Sequence, residues 1–231
     1  CSHGPLLVFE DEHVLVIDKP AGMPVHPSQG HYENTLANGI AWYYRNEATP
    51  FVFRAVNRLD RDTSGLVLLA KNPYSSCVLS DAVKDHTIHR EYAAIVSGKT
   101  DASGTIDLPI ARKDGSTIER VCDPERGETA VTHYRTFAYN KDADISFIRL
   151  LLETGRTHQI RVHMKAIGHP LPGDFLYCPD YRFIDRQPLH STYLRFSHPV
   201  TGEKLEFSAS LPEDMRKLFP DIKNPSGPVF F

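Results

Sequence analysis

From residue 90 to residue 207 the sequence is built almost entirely of short β-rich runs separated by turn residues, with one helix-period segment among them. The runs cover residues 92–97, 105–110, 129–138, 145–152, 191–196 and 204–208, and the helix covers 157–167. Strands that follow one another, rather than alternating with helices, predict an α+β fold. Its sheet should be mixed and largely antiparallel, with flanking helices and loops. A last short helix is expected after Pro212, and the Pro- and Gly-rich tail from Pro220 reads as irregular.

The N-terminal third carries the remaining elements. Residues 6–9 and 14–17 read as strands around the acidic turn Glu10-Asp11-Glu12, and Lys19-Pro20-Ala21-Gly22-Met23-Pro24 reads as a loop. Asn34 is placed to cap a helix running to Tyr44, with Leu36, Ile40 and Tyr43 on one stripe. Residues 66–70 form a continuous apolar run, the pattern of a buried strand. Asn72-Pro73 then starts a helix to about Asp85, proline falling where no N–H is needed. With no repeat and no low-complexity linker, residues 1–231 read as one continuous domain. A chain of this size needs no disulfide or metal staple. The four cysteines, at 1, 77, 122 and 178, form no C-x-x-C pair and read as free thiols in a reducing, cytoplasmic setting. No apolar run approaches the ~20 residues of a membrane span.

Three constellations can carry chemistry. In Asn57-Arg58-Leu59-Asp60-Arg61-Asp62-Thr63-Ser64-Gly65, an extended backbone puts Arg58 on the same side as Asp60. A nearby guanidinium keeps a carboxylate ionised, as a nucleophile or base requires. A surface loop of mutually paired charges explains the same tetrapeptide. In Thr154-Gly155-Arg156-Thr157-His158-Gln159-Ile160-Arg161-Val162-His163-Met164-Lys165, Thr157 is the expected cap. Ile160, Met164 and Ile167 would form an apolar face, and His158, Arg161 and Lys165 a cationic one. Arg156 falls at the helix start, where free N–H groups already favour an anion such as phosphate. An amphipathic helix with a solvated basic face is the plain alternative. The third feature, Tyr92 opening a strand after Arg90-Glu91, is in isolation ordinary packing.

Phosphate-loop, dinucleotide, zinc-protease and nucleophile-elbow motifs are absent, and the His86/His89 and His158/His163 pairs lack a Cys or carboxylate at metal-like spacing. No metal is expected. A net charge of −3 excludes bulk-charge coating of nucleic acid. That total hides a division: residues 54–71 carry +2 and residues 149–170 carry +3, leaving −8 for the remaining 191. The two chemistry-bearing segments are basic islands in an acidic chain, and local Lys/Arg can still bind a phosphate backbone.

The first constellation closely resembles the His-Arg-Leu-Asp-x-x-Thr-Ser-Gly motif of the RluA-type pseudouridine synthases. The second is similar to that family's other hallmark. Asp18-Lys19-Pro20-Ala21-Gly22-Met23-Pro24-Val25-His26-Pro27, Arg90-Glu91-Tyr92-Ala93, Gly168-His169-Pro170-Leu171-Pro172-Gly173-Asp174 and the stretch from Leu189-His190 to Pro199 match in the same order. The resemblance implies the pseudouridine synthase fold and isomerisation of uridine to pseudouridine in ribosomal or transfer RNA. It implies no cofactor and a monomer. It assigns Asp60 as catalytic aspartate, Tyr92, 32 residues on, as active-site tyrosine, and Arg161 as the arginine that pairs with the aspartate. Ribose attack, a glycal route and attack on the base all stay open.

The target uridine should leave its stack, Arg58 filling the vacated position and Arg156 holding a phosphate. Asn57, Thr63 and His158 complete the expected substrate-binding set. The family usually has His where this chain has Asn57; Asn keeps a hydrogen bond but not the charge, which bears on positioning more than on chemistry. The small N-terminal RNA-binding domain of many relatives is not found in this sequence. Two rivals remain at this point: a catalytically silent RNA-binding member, and a hydrolase pairing Asp60 with Asp62 or Glu153.

Overall fold

The computed structural model describes residues 5–27, 32–46, 51–223 and 227–230. Cys1 and part of the tail after Pro220 lie outside them. The chain packs as two compact units, Cys1–His89 with Ser191–Ala209, and Arg90–His190 with Ser210–Phe231. The pairs β1–β2, β2–β3, β4–β9, β5–β8, β6–β7, β8–β9 and β10–β11 are all antiparallel, in keeping with an α+β arrangement.

In the first unit, β1 (Leu6–Glu10) and β2 (Val14–Lys19) form a hairpin. Asp11 closes it: its Oδ1 accepts from the N–H groups of His13 (2.7 Å) and Val14 (2.8 Å), so the acidic turn is a side-chain-capped turn. β2 pairs with β3 (Ser64–Ala70), and β3 neighbours β10 (Leu189–Ser197), which pairs with β11 (Lys204–Ser208). All seven residues of β3 are buried, the condition its unbroken apolar run implied. Val14, Val16, Leu66, Leu68, Leu194 and Phe196 make one core with Leu79 of α2 (Pro73–Lys84). Asn72 caps α2 as expected, its side chain accepting from Ser75 N at 2.9 Å. Helix α1 (Leu36–Tyr43) is capped by Thr35, not Asn34. Thr35 and Asn38 form a reciprocal capping box, while Asn34 takes a left-handed φ of 59° one residue earlier.

In the second unit the order is β4 (His89–Ser97), β9 (Ile145–Leu152), β8 (Val131–Asn140) and β5 (Ser103–Asp107). The expected strand 105–110 is two strands, β5 and β6 (Ile110–Arg112). Pro109 between them has no N–H to continue a ladder. β6 pairs with β7 (Arg120–Cys122), a three-residue strand too short to leave a periodic signal. One core joins Ala93, Ile95, Ile145 and Phe147 to Met215 of α4 (Glu213–Leu218) and to Phe219.

Helix α3 (Gln159–Ala166) departs most from expectation. It starts two residues late, and its N-cap is His158 in a left-handed conformation (φ 58°), with no side-chain cap bond; Thr157 is not the cap. Six consecutive residues, Gln159 to Met164, are buried. The solvated cationic face is therefore not formed: Arg161 is 2% exposed, His158 is half-buried, and of the expected trio only Lys165 is exposed.

Gly65 starts β3 with φ +108°, and a Cβ there would lie 2.2 Å from the Ser191 carbonyl oxygen. Gly65→Ala is expected to cost about 3 kcal/mol or more, from the φ strain and the backbone clash together. Thermal denaturation should show a melting temperature lowered by roughly 6–12 °C.

Candidate active site

The Asp60 loop is stitched to the edge of β3 that faces away from β2. Ala70 N donates to Arg54 O (2.9 Å) and Val56 N to Leu68 O (2.8 Å). Asn57 extends this ladder with its side chain: Nδ2 donates to Leu66 O (3.2 Å), and Oδ1 accepts from Leu68 N (2.8 Å). Both ends of the carboxamide thus serve the backbone. The loop then alternates, with Asn57 and Leu59 buried, Arg58 exposed and Asp60 half-buried. This is the same-side placement of Arg58 and Asp60 that an extended backbone predicts.

Beyond Asp60 the chain turns, Thr63 N donating to Asp60 O at 3.1 Å. The Thr63 side chain is buried, and its hydroxyl has no hydrogen-bond partner among the described residues. Lys19, fully buried, ties the turn to the preceding loop: its Nζ donates to Pro20 O (2.9 Å), Met23 O (2.8 Å) and Arg61 O (3.1 Å). His26 meets Phe53 edge-on at 4.8 Å, and burial together with the Arg58 charge holds its imidazole below the usual pKa.

In the second unit Tyr92 lies on β4, 5% exposed. Antiparallel partners share a face, so the pairs Tyr92–Leu150 and Leu150–Tyr134 put Tyr92, Tyr134 and Thr132 on one side of the sheet. Helix α3 docks on that side. Gln159 Nε2 donates to Thr132 Oγ1 (3.1 Å) and Val131 O (3.0 Å), and the His163 ring bonds Thr132 Oγ1 (2.9 Å) and Leu108 O (2.8 Å). Burial pulls the His163 pKa down. On the opposite side Glu91 pairs with Arg149 (2.6 Å), both buried, and the Glu91 carboxylate also accepts from the N–H groups of Val229 and Phe230. Burial lowers the Arg149 pKa and the Glu91 charge opposes that.

Arg161 makes a buried fork with Asp174: Nε to Oδ2 at 2.6 Å and Nη2 to Oδ1 at 2.7 Å. Its guanidinium carbon sits 5.0 Å from the Tyr177 ring centroid. The Tyr177 hydroxyl accepts from Arg120 N (2.9 Å) and lies 2.9 Å from His158 Nδ1. Burial pushes the Tyr177 pKa up to about 12, so its hydroxyl stays neutral.

Arg156 is not at a helix N-terminus. Its guanidinium bonds Glu128 (2.5 Å) and Thr129 O (3.0 Å), and its backbone N–H goes to Gln159 Oε1 (2.9 Å). The carboxylates of the hydrolase alternative have other partners: Asp62 is forked by Arg61, and Glu153 bonds the His133 ring. Among the described residues, no group of three or more His, Cys, Asp or Glu is placed to hold a metal, and no helix is long and apolar enough to cross a membrane. Sequence reasoning missed Asp174 and Tyr177. The available signal was Pro172-Gly173-Asp174: Gly173 has φ +75°, and a Cβ there would meet backbone carbonyl oxygens of Ile184 and Arg186 at 2.4 and 2.6 Å.

This fold is that of pseudouridine synthase domains. The solved structure of human RNA Pseudouridylate Synthase Domain Containing 1 matches with a TM-score of 0.73 at 25% identity, over 89% of this chain and 82% of that one. Residues 13–166 match the family model for RNA pseudouridylate synthase, and the chain belongs to that family. It is 46% identical over 213 residues (92% of this chain, 74% of the relative) to the uncharacterized RNA pseudouridine synthase YjbO of Bacillus subtilis. It is 42% identical over 233 residues (92% and 71%) to ribosomal large subunit pseudouridine synthase D of Zymomonas mobilis. The RluA-type resemblance read from the motifs is borne out. The enzyme class is RNA pseudouridine synthase, an isomerase.

The Asn57 geometry yields a test separate from catalysis. Asn57→Ala leaves the buried Leu68 N–H and Leu66 C=O without their side-chain partner. Urea denaturation is expected to show a loss of roughly 2–4 kcal/mol.

Proposed function

We propose that residues 1–231 work as a single catalytic domain that converts specific uridines to pseudouridine in ribosomal or transfer RNA, as a cytoplasmic monomer without cofactor. The observation that carries this reading is the run from Asn57 to Gly65, with Arg58 exposed and Asp60 half-buried on one side of it, in a chain 42% identical to an enzyme named for the large ribosomal subunit.

The reaction breaks the N1–C1′ bond, turns the uracil and joins C5 to C1′; the C5 proton goes to solvent and N1 takes one up. Asp60 supplies the carboxylate that attacks C1′ or assists departure of the base. Arg161 supplies a cation to the reaction. Tyr92 stacks on the uracil and moves a proton. Arg58 fills the space of the flipped nucleotide. His158 and Thr63 each contact the substrate, and Asn57 contributes through the β3 edge that it anchors. A non-catalytic RNA-binding role is disfavoured because the sequence keeps Asp60, Tyr92 and Arg161.

Asp60→Asn should reduce tritium release from RNA labelled at uridine C5 by at least about 10³-fold, with RNA affinity held within about twofold. Normal turnover in the variant would overturn the role. EDTA should leave wild-type turnover unchanged.

Arg156 contacts phosphate by exchanging its exposed Glu128 partner for RNA. Glu128→Gln is therefore expected to tighten RNA binding a few-fold. Arg156→Ala should weaken it and flatten the log K against log[salt] slope by about one. An unchanged slope in Arg156→Ala removes the phosphate contact.

A further inference from the structure

We propose that Asp174 is a positioning residue for the isomerisation, acting through Arg161; the inference rests on the catalytic role proposed for that arginine. A guanidinium is planar and its donors are fixed on three edges. The fork through Nε and Nη2 therefore sets which way the Nη1 edge points. Asp174 takes that fork at 2.6 and 2.7 Å, and both partners are buried. Tyr177 at 5.0 Å and Phe175 at 5.7 Å lie against the guanidinium.

Asp174 is itself held in place. Its Oδ1 accepts from Leu176 N (3.0 Å) and Tyr177 N (3.2 Å), and its carbonyl accepts from Cys178 N (2.9 Å). Gly173 before it is packed against carbonyls that no side chain could tolerate. A buried ion pair is weak as a stabiliser against an apolar replacement, and its better use is to specify one geometry. Here that geometry is the orientation of one cation, on the sheet face that carries Tyr92.

The test is a kinetic cycle. Asp174→Asn removes the charge and one half of the fork. Arg161→Lys keeps the cation but cannot fork. Each is expected to lower single-turnover kcat by about 10- to 100-fold, with RNA Kd within twofold. The double variant should lose less than a further twofold, because both changes remove one interaction. Losses that multiply, or a change in Kd alone, would overturn the proposal. If Asp174→Asn does not fold, Arg161→Lys decides, since wild-type kcat in that variant means the fork is not needed. An activity-independent arm follows the Arg161 Nε–H by ¹⁵N NMR. A slowly exchanging signal in the wild-type protein is expected, and rapid exchange there would also overturn the proposal. Wild-type protein with no turnover on RNA would instead refute the functional reading and leave the Nε–H signal to judge the fork.

Discussion

A guanidinium taken out of water must be paired and hydrogen-bonded, or its desolvation costs several kcal/mol. That requirement organises the second unit. Arg161 enters the interior on α3, so a carboxylate has to meet it, and Asp174 does. The Asp174 turn needs Gly173 where backbone carbonyls crowd. Tyr177, two residues further along than Phe175, closes over the pair and takes the Arg120 N–H and the His158 ring. The left-handed N-cap of α3 fits the same arrangement: His158 spends its side chain on Tyr177 rather than on capping the helix.

The Asp60 loop solves a different problem. The carboxylate proposed as catalytic sits half-buried on a segment that is nonetheless rigid. Backbone pairing with β3, extended by the Asn57 carboxamide, supplies the rigidity. Buried Lys19 ties the following turn to the loop before it through three carbonyls. The departure from histidine at position 57 is intelligible on this basis, because what the position must do here is bridge a donor and an acceptor two residues apart on β3.

Much of the fold was legible because the signals were local. An unbroken apolar run marked β3, Asn72-Pro73 marked the start of α2, and strands 145–152 and 204–208 fell where their alternation put them. The errors share a cause. Thr35 displaced Asn34 as cap because the capping box needs a partner three residues on. Helix α3 was read as half-solvated because cations usually seek water, and nothing in its own sequence announces a carboxylate 13 residues away. Arg156 was placed at a helix start that the structure moves to His158, and it pairs with Glu128, 28 residues earlier in the chain.

The sequence by itself determined the enzyme family, the consecutive antiparallel strands and the residues on which chemistry is proposed, because motif order and period are written along the chain. It also located the charge, +5 in two segments of an acidic protein. Tertiary structure alone decided what those charges do: that Arg161 is buried and forked, that Arg156 is held at the surface, and that Asn57 serves backbone. Pairing energy depends on burial and on distance in space, and neither is a function of spacing along the sequence.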